Sequence, residues 1–183
     1  MSEFEFIITG IAIVLAMAFA KLIDGGYHSI ANGKFSWVAT TWFANRLLAV
    51  ALQFWVYKAE LTRAQMTNLR FYEFLVLLTP LVLLYSQALA LAGPSPSMIS
   101  DWKQHFSLAR RRFYAVGVTL SGAFALNVIV FETPGTSPAA FAVPAVLFAT
   151  GLFVQNERWH AGIAVLHTSV AVAAFAVPIA ETI

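Results

Sequence analysis

The sequence predicts an all-α membrane protein, a bundle of about six transmembrane helices, from two observations. Hydrophobic residues make up 60% of the 183 residues and charged residues 11%, well below the roughly 25% of a soluble domain. The apolar residues also occur in long runs separated by short polar stretches. A run of about 20 apolar residues crosses a bilayer as a helix. The length therefore fits one membrane domain, residues 1–183, without a sizeable soluble domain.

Helix-breaking residues mark the ends of these apolar runs. Gly25-Gly26 follow the first run, residues 93–96 read Gly-Pro-Ser-Pro after the third, and residues 133–138 form a Pro-rich and Gly-rich turn before the fifth. Glycine and proline clusters of this kind are typical of loops. The predicted helices span residues 4–23, 36–57, 71–92, 112–132, 138–155 and 159–180.

Small residues recur every four positions in two of the predicted helices. This spacing places them on one face and lets helix backbones approach closely. It predicts packing within the bundle, with a subunit interface of a homo-oligomer as the alternative. The two stripes are Ala12, Ala16 and Ala20 in the first helix and Gly117, Ser121 and Ala125 in the fourth.

Basic residues favour one side of the membrane. Even-numbered loops hold Lys58, Arg63 and Arg70, whereas odd-numbered loops and their helix edges hold seven basic residues. Because cytoplasmic loops are enriched in Lys and Arg, the pattern predicts that the odd-numbered loops are cytoplasmic and that both termini lie outside. The seven residues are Lys21, Lys34, Lys103, Arg110, Arg111, Arg112 and Arg158.

One stretch of this basic side is predicted to contact lipid headgroups. Arg110, Arg111 and Arg112 stand together where the fourth apolar run begins, and Trp102 precedes them. Clustered arginines next to a membrane helix attract anionic lipids, and tryptophan favours the interface. We expect these four residues to bind anionic headgroups at the cytoplasmic face.

Arg46 is the most unusual residue of the predicted spans. It lies near the middle of the second helix, beside Asn45, and Gln53 follows seven residues later on roughly the same face. A central arginine raises the free energy of insertion by about 2.5–3.5 kcal/mol. It should therefore face the protein interior and have a partner, and Glu73 and Glu132 are the carboxylates nearest to membrane depth.

Two interpretations of Arg46 remain open at this point. One is an anion or proton pathway lined by Asn45, Arg46 and Gln53. The other is a structural ion pair, or an arginine that reaches the interface from a helix that starts later. His167 and Asn127 pose the same question, because a histidine in a span relays protons, ligates haem or simply bonds a neighbouring helix.

Carboxylate and histidine residues are paired on the predicted cytoplasmic side. Pairs three or four residues apart share one face of a helix, and such sets bind iron, manganese or zinc when they converge. Both residue types are also confined to loops in a membrane protein, so chance pairing is frequent. The three pairs are Asp24 with His28, Asp101 with His105, and Glu157 with His160.

Several function classes have no support in the sequence. The chain has no cysteine, which excludes disulfides and thiolate chemistry. It contains no P-loop, nucleophile elbow, zinc-protease helix or dinucleotide-binding fingerprint, so no catalytic residue is assigned. No basic soluble face indicates nucleic-acid binding. No cofactor is assigned either, although metal or haem would use the histidines.

Three segments resemble a family of small, uncharacterised bacterial six-helix inner-membrane proteins. They are QFWVYKAE at 53–60, FYEFLVLLTPLVLLYSQALALAGP at 71–94 and DWKQHFSLARRRFY at 101–114. The resemblance implies a six-helix membrane fold. It implies no activity and no site residues.

Three functions are consistent with the sequence. The first is permeation or transport of a small ion or solute by an oligomer, with Arg46, Asn45 and Gln53 near the pathway. The second is a non-catalytic accessory subunit of a larger membrane complex. The third is a membrane redox protein that binds metal or haem through its histidines.

Overall fold

The computed structural model describes residues 3–31, 35–64, 70–131 and 136–180, and these residues fold into helices without a β-strand. This confirms the all-α class. Short 3-10 turns lie at Pro96–Met98 and Pro138–Phe141. The α-helices are α1 (Glu3–Ala31), α2 (Trp37–Ala64), α3 (Phe71–Ala92), α4 (Trp102–Phe131), α5 (Ala142–Phe153) and α6 (Glu157–Ala180).

Within the described residues, three helical segments are long and apolar enough to cross a bilayer: Glu5–Ala31, Phe71–Met98 and Trp102–Phe131. At 1.5 Å per residue, their 27 to 30 residues exceed the roughly 30 Å of hydrocarbon. Large apolar side chains also face outward, with Leu108 76% and Phe153 83% exposed. Such an apolar outer surface fits a membrane protein.

The first helix is longer than predicted. Gly25 and Gly26 do not end α1, which continues to Ala31. A Cβ atom on Gly25 would lie 2.6 Å from the Phe43 ring and 2.7 Å from Ala92. These glycines therefore serve close packing of α1 on α2 and α3, and an apolar environment favours an unbroken helix because free backbone groups are costly there.

The fourth helix begins ten residues before its predicted start. The segment that precedes the arginines is helical and continuous with α4. Asp101 Oδ1 accepts a hydrogen bond of 2.9 Å from the Gln104 N–H, which caps the helix. Gly93, with a φ of 70°, ends α3 in a backbone conformation that favours glycine.

The helix contacts close into a ring. Helix α1 packs on α2 and α3, α4 packs on α3 and α5, and α6 packs on α5 and α2. Helix α2 also touches α3 and α4, so its inner face reaches the middle of the bundle. Polar and aromatic side chains of α2, α3, α4, α5 and α6 meet at the centre of this ring.

The two predicted stripes of small residues have different surroundings. Gly117 and Ser121 of α4 are buried, and Gly117 lies directly beneath the Phe148 ring of α5, which confirms packing within the bundle. Ala16 and Ala20 of α1 are exposed. Packing within the bundle is therefore wrong for this stripe, because Ala18, Leu15 and their neighbours form the inner face of α1 instead.

A Gly117→Ala substitution tests the contact between α4 and α5. The added Cβ would lie 2.4 Å from Phe148 Cδ1, so we expect the overpacked variant to lose about 1–3 kcal/mol of stability and to melt at a lower temperature in detergent. Gly122→Ala on the same helix is the control, because nothing lies within 4 Å of its Cβ position. Equal melting temperatures for the two variants would contradict this packing.

Candidate functional site

Arg46 lies in the first half of α2 and is only 2% exposed. Its side chain therefore does not reach out to the membrane interface. This burial confirms that Arg46 faces the protein interior and rules out the interfacial interpretation. Because the guanidinium stays protonated in proteins, a full positive charge is enclosed in the bundle.

Four polar side chains from three helices surround this charge. Arg46 Nε donates to Asn45 Oδ1 at 2.8 Å, and Nη2 also donates to that oxygen. Nη1 donates to Gln87 Oε1 of α3 at 3.0 Å. Nη2 lies 3.0 Å from His167 Nδ1 of α6, and Asn45 Nδ2 donates to Thr168 Oγ1 beside it. We call Asn45, Arg46, Gln87 and His167 the arginine cluster.

Aromatic rings cover the guanidinium. Arg46 Cζ lies 5.6 Å from the centre of the Trp42 ring and 5.4 Å from that of Phe148. These distances permit cation–π attraction, which grows stronger away from water. Phe113 and Tyr114 of α4 pack edge-on against Trp42 at 4.8 and 5.7 Å. We call Trp42, Phe113, Tyr114 and Phe148 the aromatic wall.

None of the partners that the structure describes for Arg46 is a carboxylate. Glu73, one of the two predicted partners, accepts hydrogen bonds from the Arg70 N–H at 2.8 Å and the Tyr72 hydroxyl at 3.1 Å. It caps the start of α3 instead, so an Arg46–Glu73 ion pair is wrong. Glu132, the other candidate, lies outside the described residues.

The arginine cluster has more donor hydrogens than acceptors. Arg46 Nη2 lies 3.0 Å from Nδ1 and 3.3 Å from Nε2 of His167, so a donor faces the ring N–H in either neutral tautomer. That N–H and one of the two Nη1 hydrogens of Arg46 then have no acceptor among the described residues. Unmatched donors around a buried positive charge are the chemistry of an anion site.

The remaining predicted polar residues lie towards the other end of α2. Asn127 Nδ2 of α4 donates to the Val76 carbonyl at 3.2 Å and lies 3.4 Å from the Tyr57 hydroxyl. It therefore bonds neighbouring helices. Gln53 is half-buried on α2 between Arg46 and Tyr57. Both residues are outside the arginine cluster.

The three carboxylate–histidine pairs do not converge. Asp24 and His28 approach within 3.4 Å on α1, Glu157 pairs with Lys103 at 2.8 Å, and His160 Nδ1 lies 2.8 Å from the Tyr114 hydroxyl. Asp101 caps α4, and His105 Nε2 lies 3.0 Å from the Leu91 carbonyl. In the described part of the chain no three histidine or acidic residues are grouped as a metal would require.

Only some of the residues that were predicted to contact lipid headgroups are exposed. Arg111 and Arg112 are exposed, and Arg110 is half-buried with Nη1 donating to the Val154 carbonyl at 2.7 Å. Trp102 is fully buried against Phe43. A headgroup contact for Trp102 is therefore wrong, because the first turns of α4 fold over the end of the bundle.

Sequence reasoning missed Gln87 and the aromatic wall. Gln87 is the amide of α3 and follows Ser86 in an otherwise apolar turn, and an amide within a predicted span was the available signal. Trp42, near the start of α2, is fully buried. Its contact with Arg46 depends on helix packing.

Comparison with protein-family models, curated proteins and solved structures finds no match for this chain. The predicted family resemblance therefore stays a prediction. The arginine cluster is therefore the main evidence for the function of this chain.

A Gln87→Leu substitution tests the arginine cluster. It removes the acceptor of Arg46 Nη1 and also the bond that Gln87 Nε2 donates to the Phe113 carbonyl at 3.3 Å. A buried charged donor and a buried carbonyl are left unpaired, so we expect a loss of about 1–3 kcal/mol, measured by thermal unfolding in detergent. Gln104→Leu is the control, because Gln104 is exposed on α4. Unchanged stability of both variants would contradict the Arg46–Gln87 bond.

Proposed function

We propose that this protein is a membrane carrier for small monovalent anions and that Arg46 is the centre of its anion-binding site. The observation behind the proposal is that Arg46 is 2% exposed while its described partners are all uncharged. Ionisable residues inside a membrane bundle commonly mark ion pathways. An anion would supply the negative charge that these partners lack.

The charge argument favours an anion over a proton as the carried ion. Arginine does not release its proton in proteins, so Arg46 is a poor proton relay but a permanent anion receptor. Coulomb attraction also grows as the surrounding dielectric falls. The two unmatched hydrogens, on Arg46 Nη1 and on the His167 ring, suit an anion that accepts hydrogen bonds, such as nitrate or chloride.

The surroundings of Arg46 differ between its two sides. The aromatic wall closes the side towards the start of α2, whereas Gln53, Tyr57 and Asn127 follow towards its end. This arrangement supports a carrier in a conformation that is closed at the aromatic wall. Passage then requires the wall to move, as in alternating access.

The proposal includes a placement in the membrane. Six helices span the bacterial inner membrane, with the odd-numbered loops in the cytoplasm and both termini outside. The aromatic wall then faces the cytoplasmic side, where Arg111 and Arg112 contact anionic lipids. Two or more copies assemble, for which the exposed Ala16 and Ala20 of α1 are available.

A Gln87→Glu substitution tests anion binding at Arg46. A carboxylate in place of the amide would give Nη1, now 3.0 Å from Gln87 Oε1, an internal counter-ion. We expect the Gln87→Glu variant to fold, with a melting temperature no lower than that of the Gln87→Leu variant. Nitrate or chloride flux into proteoliposomes should fall to the level of empty liposomes, because the anion site is already neutralised.

The matched control is Gln104→Glu, which adds the same charge at an exposed position of α4 and should leave the flux unchanged. Wild-type flux in the Gln87→Glu variant would overturn the proposal. So would a wild-type protein that carries neither anion, and that result would favour a structural cluster in an accessory subunit.

The orientation is testable with cysteine labelling, because the chain has no native cysteine. Ser97 before α4 and Thr136 before α5 are both exposed. We expect a membrane-impermeant maleimide to label Thr136→Cys in cells with a permeabilised outer membrane. Ser97→Cys should react only after the inner membrane is opened. The reverse pattern would place the basic loops outside.

A further inference from the structure

A second buried polar pair lies on the other side of the aromatic wall. His160 of α6 is 2% exposed, and its Nδ1 is 2.8 Å from the Tyr114 hydroxyl of α4. The two rings are stacked, with centres 5.2 Å apart and planes at 27°. His160 lies in the first turn of α6, and its neighbour Trp159 is exposed.

The pair is built into the aromatic wall. Tyr114 belongs to the wall and packs edge-on against Trp42, whose other neighbour is the Arg46 guanidinium. A Cβ atom on Gly151 would lie 2.3 Å from Tyr114 Cε1, so a glycine is what allows Tyr114 to take this place. Two rings, Trp42 and Tyr114, therefore connect His160 with Arg46.

His160 has an unmet hydrogen-bonding position. Its Nε2 is buried without a hydrogen-bond partner among the described residues. If Nδ1–H donates to Tyr114, Nε2 has a free lone pair that accepts a proton. If Tyr114 donates instead, Nε2–H is a buried donor without an acceptor. Neither tautomer satisfies both nitrogens, and a buried polar group in that state is costly.

The charged groups around His160 come from the helices that pack on it. Arg110 of α4 is positive and held by the Val154 carbonyl, and Glu157 of α6 is negative but paired with Lys103 of α4. Tyr114 is the titratable group in direct contact. A protonated His160 would therefore have no unpaired carboxylate beside it within the described residues, and an anion would be its natural counter-charge.

We propose that the His160–Tyr114 pair is a proton-binding site linked to anion binding at Arg46, so that the protein takes up an anion together with a proton. The proton comes from water and binds a ring nitrogen of His160, and no covalent bond other than this N–H forms. The inference rests on the proposed anion site. It adds the coupling ion and the residue that carries it.

The linkage works in both directions. A proton on His160 adds positive charge on the far side of Trp42 and Tyr114, which strengthens anion binding at Arg46 in a medium of low dielectric. By reciprocity, an anion at Arg46 raises the proton affinity of His160 by the same factor. The bound pair adds no net charge to the bundle.

Nitrate is the probe for the test, because it does not titrate between about pH 5 and 8, where histidine changes charge. Nitrate is added to the purified protein in a weakly buffered detergent solution, and proton uptake is followed with an indicator dye while calorimetry measures nitrate affinity. We expect wild-type protein to take up as much as one proton per nitrate. Nitrate affinity should rise about 5-fold or more from pH 8 to pH 5.

Three variants identify the proton site. His160→Gln should bind nitrate without proton uptake and with an affinity independent of pH. Tyr114→Phe keeps the ring but removes the hydroxyl, and should shift the midpoint of the pH dependence. His28→Gln, on α1 and away from the aromatic wall, is the control and should behave like the wild-type protein.

The outcomes separate the two proposals. A wild-type protein that binds no nitrate at any pH contradicts the anion site itself. Nitrate binding without proton uptake in the wild-type protein overturns the linkage alone and needs no variant. Proton uptake that persists in His160→Gln but is lost in His167→Gln would also overturn the assignment, because the proton would then bind beside Arg46.

Discussion

Arg46 brings a permanent positive charge into the middle of an apolar bundle, and four helices contribute contacts to it. Its hydrogen bonds need Asn45 from its own helix, Gln87 from α3 and His167 from α6. Its aromatic cover needs Phe148 from α5. Because an unsolvated charge in a bilayer is costly, these contacts constrain how α2 can sit among its neighbours, and small displacements of any of them would expose or unpair the guanidinium.

The aromatic wall depends on glycines where rings and backbone would otherwise collide. Gly117 leaves room for Phe148, and Gly151 leaves room for Tyr114. Both rings then reach Trp42, and through it the arginine. The close packing of α4 on α5 therefore also places the rings that cover Arg46. A larger residue at either glycine would move a ring that the charge needs.

The bundle also holds polar groups whose hydrogen-bonding capacity it does not satisfy. The arginine cluster has donors in excess of acceptors, and His160 has a buried Nε2 without a partner among the described residues. Folded proteins pair nearly all their buried polar atoms. The indole nitrogens of Trp42 and Trp102 are also buried without a partner among the described residues. His160 and the arginine cluster differ from them in carrying a titratable or charged group, and Tyr114 and Trp42 connect the two.

The sequence by itself determined the all-α class and most of the helix positions, because hydrophobic runs are local properties that need no knowledge of neighbours. It singled out Arg46 as a charge inside a span but left open whether that charge is buried or reaches the interface. It did not determine the partners of that charge. Glu73 was the expected ion-pair partner, yet Gln87 and His167 take that place. Trp102 was expected at the interface and is buried. Only the tertiary structure decided these points. Arg46 is separated from Gln87 by 41 positions in the sequence and from His167 by 121, and no spacing in a single chain encodes which helix faces meet.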